Sequence, residues 1–370
     1  MANSVGQQTA SVQWVQQGGF ATVSNPPSVA VWRTKSENSW VLFQIEPEST
    51  LKGIARLAAE SALLEGKRQV QYFQIAARSV LNPCKANMPF RWTINPYRGC
   101  EFGCPYCYAR YTHEFMGMGD GRAFEDRIYA KSDTARILKS ELLRVARDEP
   151  IAIGTATDPY QPAERHFEVT RGILGVFAAG KGRRVSITTK SDLVARDTDL
   201  LRAIARGNML HVNISITTLS VDLARLLEPR APRPDLRLAA VEQLAAAGIA
   251  VGVFAMPVLP LITDCRENLE QLARAARSAG ARYLCGNVLF LRPSAQKFFF
   301  PFLAERFPHL LGRYQARYGA SPYIRGAYVE KLKRRLGEIR DRYGLAEAPV
   351  EYRPEQWEDA EPQGSLFPLQ

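Results

Sequence analysis

From residue 90 to residue 291 the chain alternates short apolar runs with longer stretches whose apolar residues recur every three to four positions. The runs Phe90–Tyr97, Ile151–Thr157, Arg184–Lys190, Leu210–Thr218, Ile249–Leu259 and Tyr283–Leu291 carry many β-branched residues and are mostly closed by Gly, Pro or polar residues, so they predict strands. The stretches Ser132–Arg147, Glu164–Ala179, Asp197–Ala205, Pro234–Ala247 and Asn268–Ala279 predict helices, and Gly248 sits where a helix C-cap favours a left-handed residue. Six strands joined through helices by short turns predict an α/β fold with a parallel sheet and right-handed crossovers. The string alone fits a flat doubly wound sheet as well as a barrel. In either geometry ligands gather at the carboxyl ends of the strands.

The flanks read differently. Residues 1–66 predict a flexible, poorly ordered leader with one helix over Leu51–Leu64. Val70–Ile75 alternates loosely, as an edge strand does. The core is expected over residues 67–300. Residues 301–357 predict a helical extension that is basic and interleaved with Tyr314, Tyr318, Tyr323 and Tyr328, a mixture suited to phosphate neutralisation and base stacking or to packing on the core. Residues 358–370 predict a disordered tail.

At 370 residues and 46% apolar content the chain can bury a full core. It has no apolar run long enough to span a bilayer and no charged-then-apolar secretion signal at its start, so no membrane partner is expected. The formal charge of +11 favours an anionic partner, with DNA or RNA the natural candidates. Six cysteines in so long a chain are not a disulfide scaffold, and their clustering points to a reducing cytoplasm.

That cluster carries the chemistry. Cys100, Cys104 and Cys107 are spaced C-x3-C-x2-C on a loop marked by Gly99, Gly103 and Pro105, directly after the first expected strand. Thiolates are soft ligands, and a cubane [4Fe–4S] cluster held by three of them keeps one iron open for a non-protein ligand. The alternative is a closed Cys3His zinc site completed by His113, as in a non-enzymatic nucleic-acid-binding module. Cys84 stands alone and reads as incidental.

The cysteine spacing with Tyr106 before the third cysteine resembles the radical S-adenosylmethionine superfamily. The longer string from Pro89 through Glu114 is similar to its spore photoproduct lyase-like branch. The resemblance implies a partial (β/α)6 TIM-type barrel, a [4Fe–4S] cluster on Cys100, Cys104 and Cys107, and S-adenosylmethionine as the second cofactor. It implies an external electron donor and hydrogen abstraction by a 5′-deoxyadenosyl radical, from nucleic acid or else from a protein or small molecule. It places Tyr106, Thr155, Lys190 and Ser215 on S-adenosylmethionine, and Arg230 of a similar Glu-Pro-Arg stretch on that cofactor, on a substrate phosphate or in a salt bridge. His113 and Glu114 are candidates for a proton-transfer pair, while His211 reads as a core histidine. One departure stands out. The lyases place a hydrogen-donating cysteine near the end of strand two, and Ile151–Gln161 has none. Finally, Gln363–Phe367 resembles the short peptide that docks bacterial repair proteins on the sliding clamp.

Overall fold

The computed structural model describes residues 70–84, 88–119 and 121–358, together with 12–13, 22–23, 29–33, 40–44, 53–59 and 63–66. The chain divides into two compact units, Met1–Ala59 and Glu60–Gln370. In the first, Val12–Gln13 pairs with Thr22–Val23 and Val29–Arg33 with Trp40–Gln44, both antiparallel. Its helix spans Ile54–Ala59, shorter than the expected Leu51–Leu64, because Leu63–Gly66 is a strand of the second unit. The expected flexibility of the rest of the leader falls outside the described residues, as do residues 359–370 and the Gln363–Phe367 segment.

The second unit is built on a seven-stranded sheet. In chain order the unit's strands are β1 (Leu63–Gly66), β2 (Gln71–Ala76), β3 (Leu81–Pro83), β4 (Trp92–Ile94), β5 (Tyr97–Arg98), β6 (Arg127–Ser132), β7 (Pro150–Ile153), β8 (Arg184–Thr189), β9 (Met209–Ser215), β10 (Ala250–Val258) and β11 (Leu284–Val288). The large sheet runs β11-β10-β9-β8-β7-β4-β3, with β4 and β7 to β11 all parallel and β3 antiparallel on the edge. A doubly wound sheet reverses strand order at a switch point. Here the six parallel strands neighbour one another in sequence order. Every right-handed crossover therefore lays its helix on the same face, and the sheet is that of a partial (β/α)6 barrel.

Its helices are α1 (Thr134–Leu142), α2 (Val169–Ala178), α3 (Thr198–Gly207), α4 (Val221–Leu227), α5 (Pro234–Ala246) and α6 (Arg266–Ser278). The expected Glu164–Ala179 helix is broken at Glu168, whose φ of 47° leaves a separate turn at Glu164–Phe167. The core joins both layers: Ile153, Ile187, Val212, Ile214 and Val253 of the strands pack with Ile173, Leu201, Ile204, Leu244 and Leu272 of the helices. Each fully buried side chain of this size contributes roughly 1.5–3 kcal/mol.

A smaller sheet, β1-β2-β6-β5, stands beside the barrel. The segment expected as an edge strand is therefore the interior strand β2, flanked by β1 and β6, with Tyr72 fully buried. Because β4 belongs to the barrel and β5 to this small sheet, the cysteine loop leaves from the seam between the two.

The C-terminal extension is helical as expected, with α7 (Pro293–Arg306), α8 (Pro308–Tyr318) and α9 (Ala327–Tyr343). Its tyrosines divide. Tyr314 and Tyr318 are fully buried and donate to the carbonyls of Pro260 (2.6 Å) and Leu289 (2.9 Å), and Tyr328 donates to Asp264 (2.7 Å). These three fasten the extension to the barrel, while Tyr323 is exposed. Among the described residues no helix is long and apolar enough to cross a membrane.

Candidate metal centre

The cysteine loop is fixed before any metal arrives. Gly99 has φ of +83°, and a Cβ there would meet the carbonyls of Arg127 and Phe124 at 2.8 and 2.9 Å, so the loop can pass only as glycine. The Cys100 amide donates to the Phe124 carbonyl at 2.8 Å, and the Cys107 amide to the Cys104 carbonyl at 3.1 Å. Buried Gln161 accepts from the Glu101 amide (3.0 Å) and donates to the Gly99 carbonyl (3.1 Å), and Thr157 donates to the same carbonyl at 2.5 Å. The Glu101 carboxylate accepts from Tyr72 (2.8 Å) and the Ala163 amide (2.9 Å). The loop after β7 thus braces the loop after β4. Buried Arg110 does the same from the other side, donating to the Cys104 carbonyl at 2.9 Å and pairing with Glu125.

Next to the cysteines lies a charged knot. Glu228, fully buried, accepts from the Tyr106 hydroxyl at 2.5 Å and pairs with Arg237 at 2.5 Å. The Lys190 ammonium stands 3.9 Å from Glu228 and 6.0 Å from the centre of the Tyr106 ring. Burial by itself would raise the Glu228 carboxyl, but Arg237 and Lys190 hold it below the usual carboxylate range. Burial pulls Lys190 down, but its neighbours, the Glu228 carboxylate foremost, raise it above its ordinary value, so it stays protonated. Lys190 is positioned through its own backbone, since its amide donates to Asp158 at 2.7 Å while Thr189 binds the other Asp158 oxygen at 2.6 Å.

The other expected cofactor contacts lie at the strand ends. Thr155 accepts from Asn95 at 3.2 Å, and its carbonyl accepts from Tyr108. Ser215 is buried at the end of β9, where its carbonyl accepts from Arg237 at 3.0 Å. The structure therefore brings Tyr106 and Lys190 together beside the cysteines, with Thr155 and Ser215 at neighbouring strand ends.

Two expectations turn out otherwise. Arg230 is committed to a clamp: it donates to the Glu101 carbonyl (3.3 Å) and pairs with Glu125 (3.2 Å) and Asp126 (3.6 Å), which is the salt-bridge alternative. His113 and Glu114 form no proton-transfer pair. The His113 ring is fully buried against Phe124 and Tyr129, with Nε2 3.1 Å from the Arg127 carbonyl, while Glu114 is exposed. Burial lowers the His113 imidazole to about 4. His211 is buried as expected, 2.9 Å from the Val350 carbonyl. The residues missed from sequence are Glu228 and Arg237. Glu228 stands in the Glu-Pro-Arg stretch already noted for Arg230, and nothing in the pattern marks Arg237.

The donor set fits a cluster. Burial pushes the Cys104 thiol up to about 12, a rise opposed by Lys190, and burial with the nearby Asp158 raises Cys100. Such thiols ionise when a cation takes the thiolate. Among the described residues no three His, Cys, Asp or Glu side chains are spaced to hold one metal ion. His113, turned to the Arg127 carbonyl, does not complete a closed zinc site.

Residues 94–275 match the family model described as Radical SAM superfamily. An uncharacterized protein of Mycobacterium tuberculosis is 36% identical over 304 residues, covering 81% of this chain and 87% of its own. One of Methanocaldococcus jannaschii is 29% identical over 196 residues, 53% of this chain and 71% of its own. Among solved structures, spore photoproduct lyase complexed with dinucleoside spore photoproduct superposes with a TM-score of 0.57 at 14% identity, covering 80% of this chain and 86% of that one. The chain belongs to the radical S-adenosylmethionine superfamily, whose members are enzymes that use a [4Fe–4S] cluster and S-adenosylmethionine, and it has the fold of spore photoproduct lyase.

Proposed function

We propose that this enzyme abstracts hydrogen from a nucleic-acid substrate, with Cys100, Cys104 and Cys107 holding the cluster. The carrying observation is the placement of the three cysteines at the carboxyl end of the first barrel strand, with the Lys190 ammonium and Tyr106 beside them. The chemistry that the bound cofactors supply is reductive cleavage of the sulfonium, by one electron from an external donor, to a 5′-deoxyadenosyl radical. The chain's own part is to bind and orient. Lys190 pairs with the methionine carboxylate, a role suited to a compact ammonium held charged by Glu228. The Thr155 and Ser215 hydroxyls would hold the cofactor's amino or ribose groups, and the Tyr106 ring, buried beside the cysteines, would border its adenine. Arg230 and Arg110 hold the loop so that the thiols do not splay.

The nucleic-acid substrate is supported by the +11 charge and by the fold shared with an enzyme solved with a dinucleoside photoproduct. Direct reversal through a thiol after strand two is not part of the proposal. No cysteine occupies Ile151–Gln161, Cys265 is exposed beyond β10, and Cys285 is buried in β11 donating to the Glu347 carbonyl. The test is anaerobic turnover with dithionite and S-adenosylmethionine, with and without DNA or RNA. Nucleic acid should raise 5′-deoxyadenosine formation several-fold and acquire or lose label in a deuterium-transfer experiment. Stimulation by peptides or metabolites, with DNA and RNA inert, would overturn the substrate assignment.

A further inference from the structure

Three segments meet beside the cysteine loop and carry aromatic rings that touch one another yet stay open to solvent. They are the turn after Cys107 with Tyr108 and Tyr111, the segment after β11 with Phe290 and Arg292, and the α8–α9 loop with Tyr323. Tyr323 stacks on Phe290 with centroids 4.5 Å apart and planes 26° apart, and Phe290 meets Tyr108 at 5.9 Å. Alongside, the Arg292 guanidinium lies 4.2 Å over the Tyr111 ring, whose edge meets Phe115 at 5.6 Å. Aromatic side chains that pack this closely are usually interior. Here Tyr323 is 53% exposed, Phe115 64% and Tyr108 37%. The strip is held in place: the Leu291 amide donates to the Pro322 carbonyl at 3.0 Å, and Tyr108 donates to the Thr155 carbonyl. Arg292 lies on the strip and Arg325 follows close after Tyr323. Neither forms an ion pair with a described residue, and Arg325 is exposed.

We infer that the Tyr323–Phe290–Tyr108 strip is a stacking platform for a single nucleic-acid strand, with Arg292 and Arg325 on its phosphates. This rests on the nucleic-acid reading above and narrows it to unpaired or extruded nucleotides. Bases inside a duplex already stack on each other and offer no free face, whereas an open strand can place successive bases on successive rings. The strip ends at Tyr108, next in sequence to the cluster ligand Cys107. A strand lying along it would therefore bring a nucleotide to the barrel mouth.

The experiment is an anisotropy titration of the full-length reconstituted protein with a fluorescein-labelled single-stranded oligonucleotide and with its duplex. The single strand should bind more tightly. Tyr323→Ala should weaken it about tenfold, Tyr323→Phe should keep the native affinity, and Arg274→Ala on the outer helix α6 should change little. Native affinity in Tyr323→Ala, or tighter binding of the duplex, would overturn the platform while leaving the nucleic-acid substrate standing. No binding of either oligonucleotide at low salt would sink the nucleic-acid reading itself.

Discussion

Tyr106 donates to Glu228 at 2.5 Å, and this single bond ties the residue before the third cysteine to the loop beyond the fourth barrel strand. Glu228 also faces Arg237 and Lys190, so one buried carboxylate orients an aromatic ring and an ammonium at once. Removing its charge leaves Arg237 buried without a counter-ion. Glu228→Gln should cost about 3 kcal/mol of stability, the scale of a broken buried ion pair. It should also weaken S-adenosylmethionine binding, because Lys190 loses its support. Urea melts and equilibrium binding to the reconstituted protein check the two effects separately.

The cluster assignment predicts a sharp division among the cysteines. Alanine at Cys100, Cys104 or Cys107 should bring iron well below about four per chain, the content of an intact cubane. Alanine at Cys84 or Cys265 should leave iron unchanged. Iron analysis and the visible absorption spectrum decide.

Gly99 tests the loop's backbone. A Cβ would sit 2.8 Å from the Arg127 carbonyl and 2.9 Å from the Phe124 carbonyl, at a φ that L-residues disfavour. Gly99→Ala should destabilise the protein by about 1–3 kcal/mol and lower cluster occupancy by displacing Cys100. A thermal melt and iron content at matched conditions measure both.

His113 makes a pH prediction. Its folded value of about 4 lies below the ordinary value of 6.5, so the fold prefers the neutral ring. The associated stability is complete above pH 6.5 and is lost as the pH falls toward 4, by about 1.4 kcal/mol per unit. His113→Gln should flatten the stability curve between pH 6.5 and 4 relative to the native chain, read from urea midpoints across that range.

The tail offers an independent check on partners. A synthetic peptide carrying Gln363–Phe367 should bind a bacterial sliding clamp in a titration and lose binding when Leu366 and Phe367 become alanine. No saturable binding would refute clamp docking through this segment.

Much of the barrel was legible because strands such as β7 and β9 are buried on both faces and read as apolar runs. The small sheet was harder. Strand β6 contains Arg127 and Lys131, and its partner β5 is two residues long, so neither gives a usable period. The hairpin Val29–Arg33 with Trp40–Gln44 did carry a signal, two short apolar runs on either side of the polar 34–39 segment, but it lay in a leader read as flexible and poorly ordered. At the site, the cysteines and Lys190 were marked by spacing and strand ends. Arg230 drew attention that belonged to its neighbour Glu228. Charge in a loop does not reveal which acid it will meet, and the clamp on Glu125 and Asp126 spans a hundred residues of sequence. Arg237 lies on a helix face, and only the fold turns it toward Glu228.

Cys100, Cys104 and Cys107 are assigned to a cluster that works on S-adenosylmethionine. The most direct measurement reduces anaerobically reconstituted protein in the presence of S-adenosylmethionine and quantifies 5′-deoxyadenosine by chromatography. The native chain should produce it and Cys104→Ala should produce none. Undiminished 5′-deoxyadenosine from Cys104→Ala, or a native protein that takes up zinc, binds no iron and makes none, would contradict the account.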